Sequence, residues 1–243
     1  MAPILLITRP DPSGAAFANR LRTGAADGLE VIQSPVMRIE RCGVLPELEA
    51  VKTLIFTSRH AVEAYAALAG PVGIPAYAVG EATGVAARAA GLSATVCDGD
   101  AASVLSRVLA DDAPAPALHP RGEHMARDIA KDLTEAGIET HDVVLYRQVP
   151  VPLTDRAKAA LAGDRPVVVP LFSPRSARLF FEEAQVVAPL LVAAISEAVA
   201  QAVPGGAARA LEIAGRPDQE AMAEVTEGLL DAAKRLEGGR AAK

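Results

Sequence analysis

Four short motifs in this chain place an arginine within two residues of a hydroxyl or a glycine, each straight after an apolar run. They are Thr8-Arg9, Thr57-Ser58-Arg59, Pro120-Arg121-Gly122 and Ser173-Pro174-Arg175. Each reads as following a strand and preceding a helix. Gly80 and Ser196 follow two further apolar runs and join them as candidate binding positions. Ser and Thr at such places cap helices, and the N–H groups and dipole of a helix N-terminus attract anions. Any single motif reads first as a cap beside a surface arginine; it is the four together that point to binding. One exposed ion pair yields only ~0–1 kcal/mol, and a helix N-terminus roughly 0.3–1 kcal/mol. Tight binding by such groups therefore needs many at once. The ligand they suit is extended, carries several carboxylates or phosphates, and lies between two halves of the chain.

Other chemistries lack their signatures. No GxGxxG follows a strand and no GxxxxGK occurs, so for nucleotide binding Gly80 is only a turn glycine. The four histidines form no HExxH and no paired ligand spacing. His119 and His124 flank Arg121 and read first as loop residues, then as substrate contacts, and last as metal ligands. Nothing suggests a Ser-His-Asp triad or an activated thiol. Tyr146 ends an expected strand, 143–146, where it either packs or points into a cleft.

The elements that must position these groups follow from the apolar pattern. Strands are expected at 4–8, 30–34, 53–57, 76–79, 94–97, 117–119, 143–146, 167–172, 191–195 and 211–214. Helices lie between them, including 126–136 around Ile129 and Leu133, and 219–236 with Met222, Val225, Leu229 and Leu236 on one face. Alternation of this kind implies an α/β fold with parallel sheets covered by helices on both faces. In such sheets ligands bind beyond the carboxyl ends of the strands, where the four motifs sit.

The chain is also internally repeated. Phe56-Thr57-Ser58-Arg59 resembles Phe172-Ser173-Pro174-Arg175 at an offset of 116, which also aligns Glu81-Ala82 with Glu197-Ala198 and Gly99 with Gly215. At an offset of 112, Leu6-Ile7-Thr8-Arg9 resembles Leu118-His119-Pro120-Arg121, each followed by a helix, a glycine (Gly28, Gly137) and a strand. Two copies of one α/β unit result. A tandem cut near 111–116 and an interleaved cut through the connectors 36–51 and 149–166 fit the periodicity equally well.

Composition narrows the class. The 243 residues are 51% hydrophobic and 22% charged, with mean hydropathy +0.23 and a formal net charge of -6. An acidic chain with no Trp and three Tyr is a poor nucleic-acid binder. Two cysteines outside any CxxC pair point to a reducing cytoplasm. The apolar start Ile4-Leu5-Leu6-Ile7 lacks a basic lead and reads as a strand rather than a signal peptide. No apolar run reaches membrane-spanning length.

In order and spacing, LLITRP, FTSRHAVEA, AVGEATG, PRGEHMARDIAKDLTEAG with VVLYRQV, and LFSPRSA resemble the uroporphyrinogen-III synthase family, over nearly the whole chain to about Leu236. The resemblance implies two similar α/β domains joined by a pair of strands, 1–35 with 150–243 as one and 36–149 inserted as the other. It implies a monomer with mobile domains and no metal or organic cofactor. It also implies a polycarboxylate tetrapyrrole substrate, hydroxymethylbilane, with transient contact to the hydroxymethylbilane synthase that supplies it. The implied reaction loses the ring A hydroxyl as water, attacks through the substituted carbon of ring D, and recloses through a spiro intermediate with ring D inverted. Positioning and a dry cleft suit that task better than a strong nucleophile. Tyr146 matches the family's candidate acid, and Ser58, Thr83 and Ser173 match positions for substrate carboxylates. One departure is Val199, where the family's second copy carries Thr; Ser196 is the candidate replacement. The alternatives are a hinged small-molecule binding protein without catalysis and a degenerate regulatory module of the same fold.

Overall fold

Ile4-Leu5-Leu6-Ile7 and Thr53-Leu54-Ile55-Phe56 are buried at every position, the pattern of strands covered on both faces. In the computed structural model, which describes residues 2–24, 29–97, 101–125 and 127–241, these runs become β1 (Ile4–Ile7) and β4 (Thr53–Phe56). Around them come α1 (Ser13–Gly24), β2 (Glu30–Gln33), β3 (Met37–Arg41), α2 (Arg59–Ala67), β5 (Ala76–Val79), α3 (Gly80–Ala89), β6 (Ala94–Cys97) and α4 (Ala101–Ala110). The chain continues through β7 (Ala117–Gly122), α5 (Ile129–Glu135), β8 (Thr140–Pro150), α6 (Asp155–Ala162), β9 (Val167–Leu171) and α7 (Pro174–Glu183). It closes with β10 (Leu190–Ala194), α8 (Glu197–Ala200), β11 (Ala210–Ile213) and α9 (Gln219–Ala241). Gly28, Gly99 and Ala126, used in the expectations above, lie outside the described residues, as does the side chain of Leu236.

The chain divides into two compact units, Met1–Arg38 with Pro150–Lys243, and Ile39–Val149. The first holds a sheet of order β11-β10-β9-β1-β2, and the second contains β3-β8-β7-β4-β5-β6. Within the second, β6-β5-β4-β7-β8 repeats the whole order of the first. The registers agree as well: Leu5↔Val31 and Ile7↔Gln33 recur as Ala117↔Thr140 and His119↔Asp142. The α/β class and the duplication are thus present as expected, with parallel sheets between layers of helices.

Each sheet is packed on both faces. In the first unit Leu6, Val169 and Val192 face Leu161 and Phe180, while Leu5, Ile7 and Val168 face Phe17, Leu21, Met222 and Leu229. In the second, Leu54, Phe56 and Leu118 face Val62 and Tyr65, and Ile55 and Ala117 face Val104, Val108, Ile129 and Leu133. Alternate strand residues thus serve opposite helix layers.

Three expectations are corrected. The gap-free offset of 116 slips by one at the first motif: Ser58 and Ser173, 115 apart, are the residues that cap α2 and α7. Ser58 therefore corresponds to Ser173, and the two arginines are not equivalent. Pro120-Arg121-Gly122 does not precede a helix directly, because β7 runs through Gly122 and α5 begins only at Ile129. Proline reads as a breaker, yet β7 pairs with β4 only at Ala117 and Leu118, so Pro120 lies beyond that ladder while β8 still pairs alongside. Tyr146 does not end its strand, because β8 spans 11 residues. The residues after Tyr146 continue the strand, and there Arg147 pairs with Glu40 at 2.9 Å. His119 lies in β7, within the strand expected at 117–119.

Candidate active site

In each sheet the order reverses between two central strands, β4 and β7 in the second unit and β1 and β9 in the first. The pairing of these strands is confined to their amino-terminal halves, Thr53↔Ala117 with Leu54↔Leu118, and Ile4↔Val167 with Leu5↔Val168. Beyond that a crevice opens, the usual ligand position in an open α/β sheet.

In the second unit this crevice is a pocket of about 280 Å³ lined by Thr57, Ser58, His119, Arg121, Gly122 and Tyr146, among others. Its first wall is the end of β4. Ser58 is extended (φ -151°, ψ 136°) and its Oγ accepts the His60 N–H at 3.2 Å, capping α2. Thr57 Oγ1 lies 3.2 Å from His119 Nε2 across the switch point. Arg59 opens α2, and its Nη2 is buried with no hydrogen-bond partner among the described residues.

The opposite wall is built by β7 and β8. Their register slips after Arg121, which pairs with Val144, while Gly122 pairs with Tyr146. The extra residue, Leu145, makes a β-bulge, a device that re-aims side chains. Leu145 and Tyr146 consequently both pack into the same apolar cluster although they are adjacent. The phenol lies across Gly122: a Cβ there would stand 2.6 Å from Tyr146 Cζ and 2.8 Å from its hydroxyl. Burial raises the pKa of Tyr146, and a hydrogen bond with Ser58 opposes that shift. The hydroxyl therefore remains protonated at neutral pH.

His119 is 2% exposed, and burial lowers its pKa to about 4, the Asp142 charge opposing. It is a neutral imidazole at physiological pH. Its Nδ1 is buried and finds no partner among the described residues. Arg121 is committed locally, with Nε on Asp142 and Nη1 on the Gly122 carbonyl at 2.9 Å. His124, Met125 and Arg127 complete the rim.

The remaining candidates fall elsewhere. Gly80 adopts φ +69° at the start of α3, a left-handed conformation that explains glycine there. Thr83 is buried in α3, and Val199, at the offset of 116, is buried in the core of the first unit. Val199 stands among apolar neighbours, so the hydroxyl that Thr83 keeps in the second unit has no counterpart there. In the first unit the Arg9 guanidinium stacks over Phe172 at 4.0 Å. Ser173 Oγ accepts the Ser176 N–H at 3.0 Å and meets Ser176 Oγ at 2.8 Å, with Arg175 in the first turn of α7. Ser196 stands at the cap of α8 without a side-chain cap bond. Among the described residues no group of three His, Cys, Asp or Glu is placed to hold a metal ion, and no helix is long and apolar enough to cross a membrane.

Two like-ordered parallel sheets, each gathering hydroxyls and arginines at its switch point, define a duplicated, doubly wound α/β protein with its polar chemistry at the strand ends. The family model described as uroporphyrinogen-III synthase HemD matches residues 18–224, and the chain belongs to that family. It is thereby an enzyme of the lyase class that cyclises a linear tetrapyrrole. Among solved structures, uroporphyrinogen-III synthetase from Helicobacter pylori is similar at TM-score 0.67 and 17% identity, covering 94% of this chain and 100% of that one. A mutant uroporphyrinogen III synthase from the extremely thermophilic bacterium Thermus thermophilus is similar at TM-score 0.52 and 17% identity, covering 95% and 100%. At these identities the likeness speaks for the fold. A search of curated proteins gave no match.

Proposed function

We propose that the chain converts hydroxymethylbilane to uroporphyrinogen III and that the second unit's pocket is where ring A loses its hydroxyl. The observation that carries this is the Tyr146 phenol, buried, protonated, hydrogen-bonded to Ser58 and seated on Gly122 at the switch point. In this reading the phenol donates its proton as the ring A C–O bond breaks, water departs and an azafulvene cation is left. Ring D then attacks through its substituted carbon, the spiro intermediate fragments and recloses with ring D inverted, and the proton lost from the newly bonded ring D carbon restores the phenol. A pocket of about 280 Å³ is smaller than the ~300–1,000 Å³ that encloses a drug-sized ligand, so it suits one part of a tetrapyrrole. Further carboxylates are read onto the groups beside this pocket in the same unit, the Thr57 hydroxyl and the Arg59 guanidinium at the start of α2. An acidic chain with two free cysteines is consistent with work in the cytoplasm as a monomer, with transient delivery of substrate by hydroxymethylbilane synthase.

The test is direct. Purified protein, without added metal or nucleotide, is given hydroxymethylbilane and the product isomers are separated by chromatography. Type III product is expected. Type I alone, as in a buffer blank, would leave a binding protein of the same fold.

A further inference from the structure

The duplication supplies an internal comparison for His119. By register with the neighbouring strand, its counterpart in the first unit is Ile7, since Ile7↔Gln33 recurs as His119↔Asp142. The two positions are equally buried, at 1% and 2% exposure. The sheet position thus accepts an aliphatic side chain; the imidazole's one partner in the fold is the Thr57 hydroxyl, whose counterpart in the first unit is Phe172. Burying a nitrogen with no hydrogen-bond partner is destabilising, and His119 Nδ1 is such an atom among the described residues. Its other nitrogen is held 3.2 Å from Thr57 Oγ1, which fixes the ring at the wall of the pocket. A buried polar group that the sister sheet replaces with an apolar one is a group whose partner comes with the ligand.

We infer that His119 is a substrate-contacting residue: with its Nε2 proton donated to Thr57 Oγ1, its Nδ1 lone pair accepts a hydrogen bond from a pyrrole N–H of the bound tetrapyrrole. This rests on the functional reading above. A pyrrole N–H becomes a stronger donor as its ring turns cationic, so the contact tightens on the way to the azafulvene and favours the transition state over the bound substrate. A neutral acceptor suits that place, because a cationic side chain would repel the developing charge.

The test is to put the sister unit's residue in place, His119→Ile, and to measure the melting temperature and kcat/KM with hydroxymethylbilane. The variant should melt at or above the wild type while kcat/KM falls ~10-fold or more, the range for removing one partner of a buried hydrogen bond. His119→Asn keeps a polar atom near the Nδ1 position and should recover part of the loss. His119→Gln reaches the Nε2 position, keeps the Thr57 contact, and should not recover it. An Ile variant with wild-type kcat/KM, an Ile variant that melts below wild type, or rescue by Gln as good as by Asn overturns the inference. An inactive wild type instead removes the functional reading beneath it.

Discussion

Tyr146 and His119 are both kept un-ionised by burial, which raises the phenol's pKa and lowers the imidazole's. For Tyr146 the clean substitution is Tyr146→Phe, which keeps the ring against Gly122 and removes the hydroxyl. General acid assistance is typically worth about 10²–10⁴-fold, and a benzylic-type hydroxyl leaves readily, so a loss near 10²-fold in kcat is expected. Stability should fall by no more than ~1 kcal/mol, the net worth of the bond with Ser58. Wild-type turnover in that variant would make Tyr146 a packing residue. For His119 the consequence is a pH dependence of stability. The imidazole stays neutral in the fold down to about pH 4, whereas the unfolded chain takes up the proton near pH 6.5. The unfolded state therefore binds more protons between those values, and stability is lost as pH falls through that window. The full effect is on the order of 3 kcal/mol. Melting temperatures of wild type and His119→Ile should accordingly diverge between pH 6.5 and 4, the wild type falling faster. Parallel curves would show that the imidazole is solvated.

What the elements do to these side chains was only partly visible from the amino-acid order. Runs such as Ile4–Ile7 and Thr53–Phe56 declare themselves because strands buried on both faces carry no polar residue toward water. The repeat offsets carried the duplication, since like segments fold into like strands, but not the order of the strands within a sheet. Position within a strand was harder to see. Pro120 and Gly122 are punctuation by residue type, yet both continue β7, because the proline lies beyond the β4 ladder and the glycine makes room for a ring. The bulge at Leu145 left no mark in the sequence: it is set by register against β7, which only the assembled sheet defines. Its consequence is testable. Gly122→Ala places a methyl within 2.6 Å of the Tyr146 ring, so the phenol must leave the position in which it meets Ser58. Turnover should fall to roughly the level of Tyr146→Phe, and combining the two changes should lower it little further, as expected of coupled neighbours. Independent, multiplying losses would mean that Gly122 acts on the substrate directly.

At the scale of the whole molecule, an enzyme of net charge -6 must, on the proposed reading, take up a polycarboxylate tetrapyrrole. Two electrostatic effects compete, and salt separates them by sign. If repulsion between total charges governs binding, added salt screens it and affinity rises. If arginines close to the carboxylates govern binding, salt weakens the attraction and affinity falls. The candidate arginines sit close to the strand ends rather than spread over the surface. Arg59 keeps a buried Nη2, unpartnered among the described residues, beside the capped start of α2, and Arg9 is held over Phe172. Partly buried cations are screened less by the solvent, so each contributes more than a surface pair. We therefore expect the affinity for uroporphyrinogen III, measured by titration calorimetry, to fall as salt rises from about 0.05 to 0.5 M, where the Debye length shortens from well above to well below ~10 Å. Arg59→Ala should weaken binding by roughly 1–2 kcal/mol and flatten the salt slope. Affinity that rises with salt, or an Arg59→Ala protein that binds like the wild type, would place these arginines outside the binding surface and leave hydroxyls, helix starts and shape to hold the substrate.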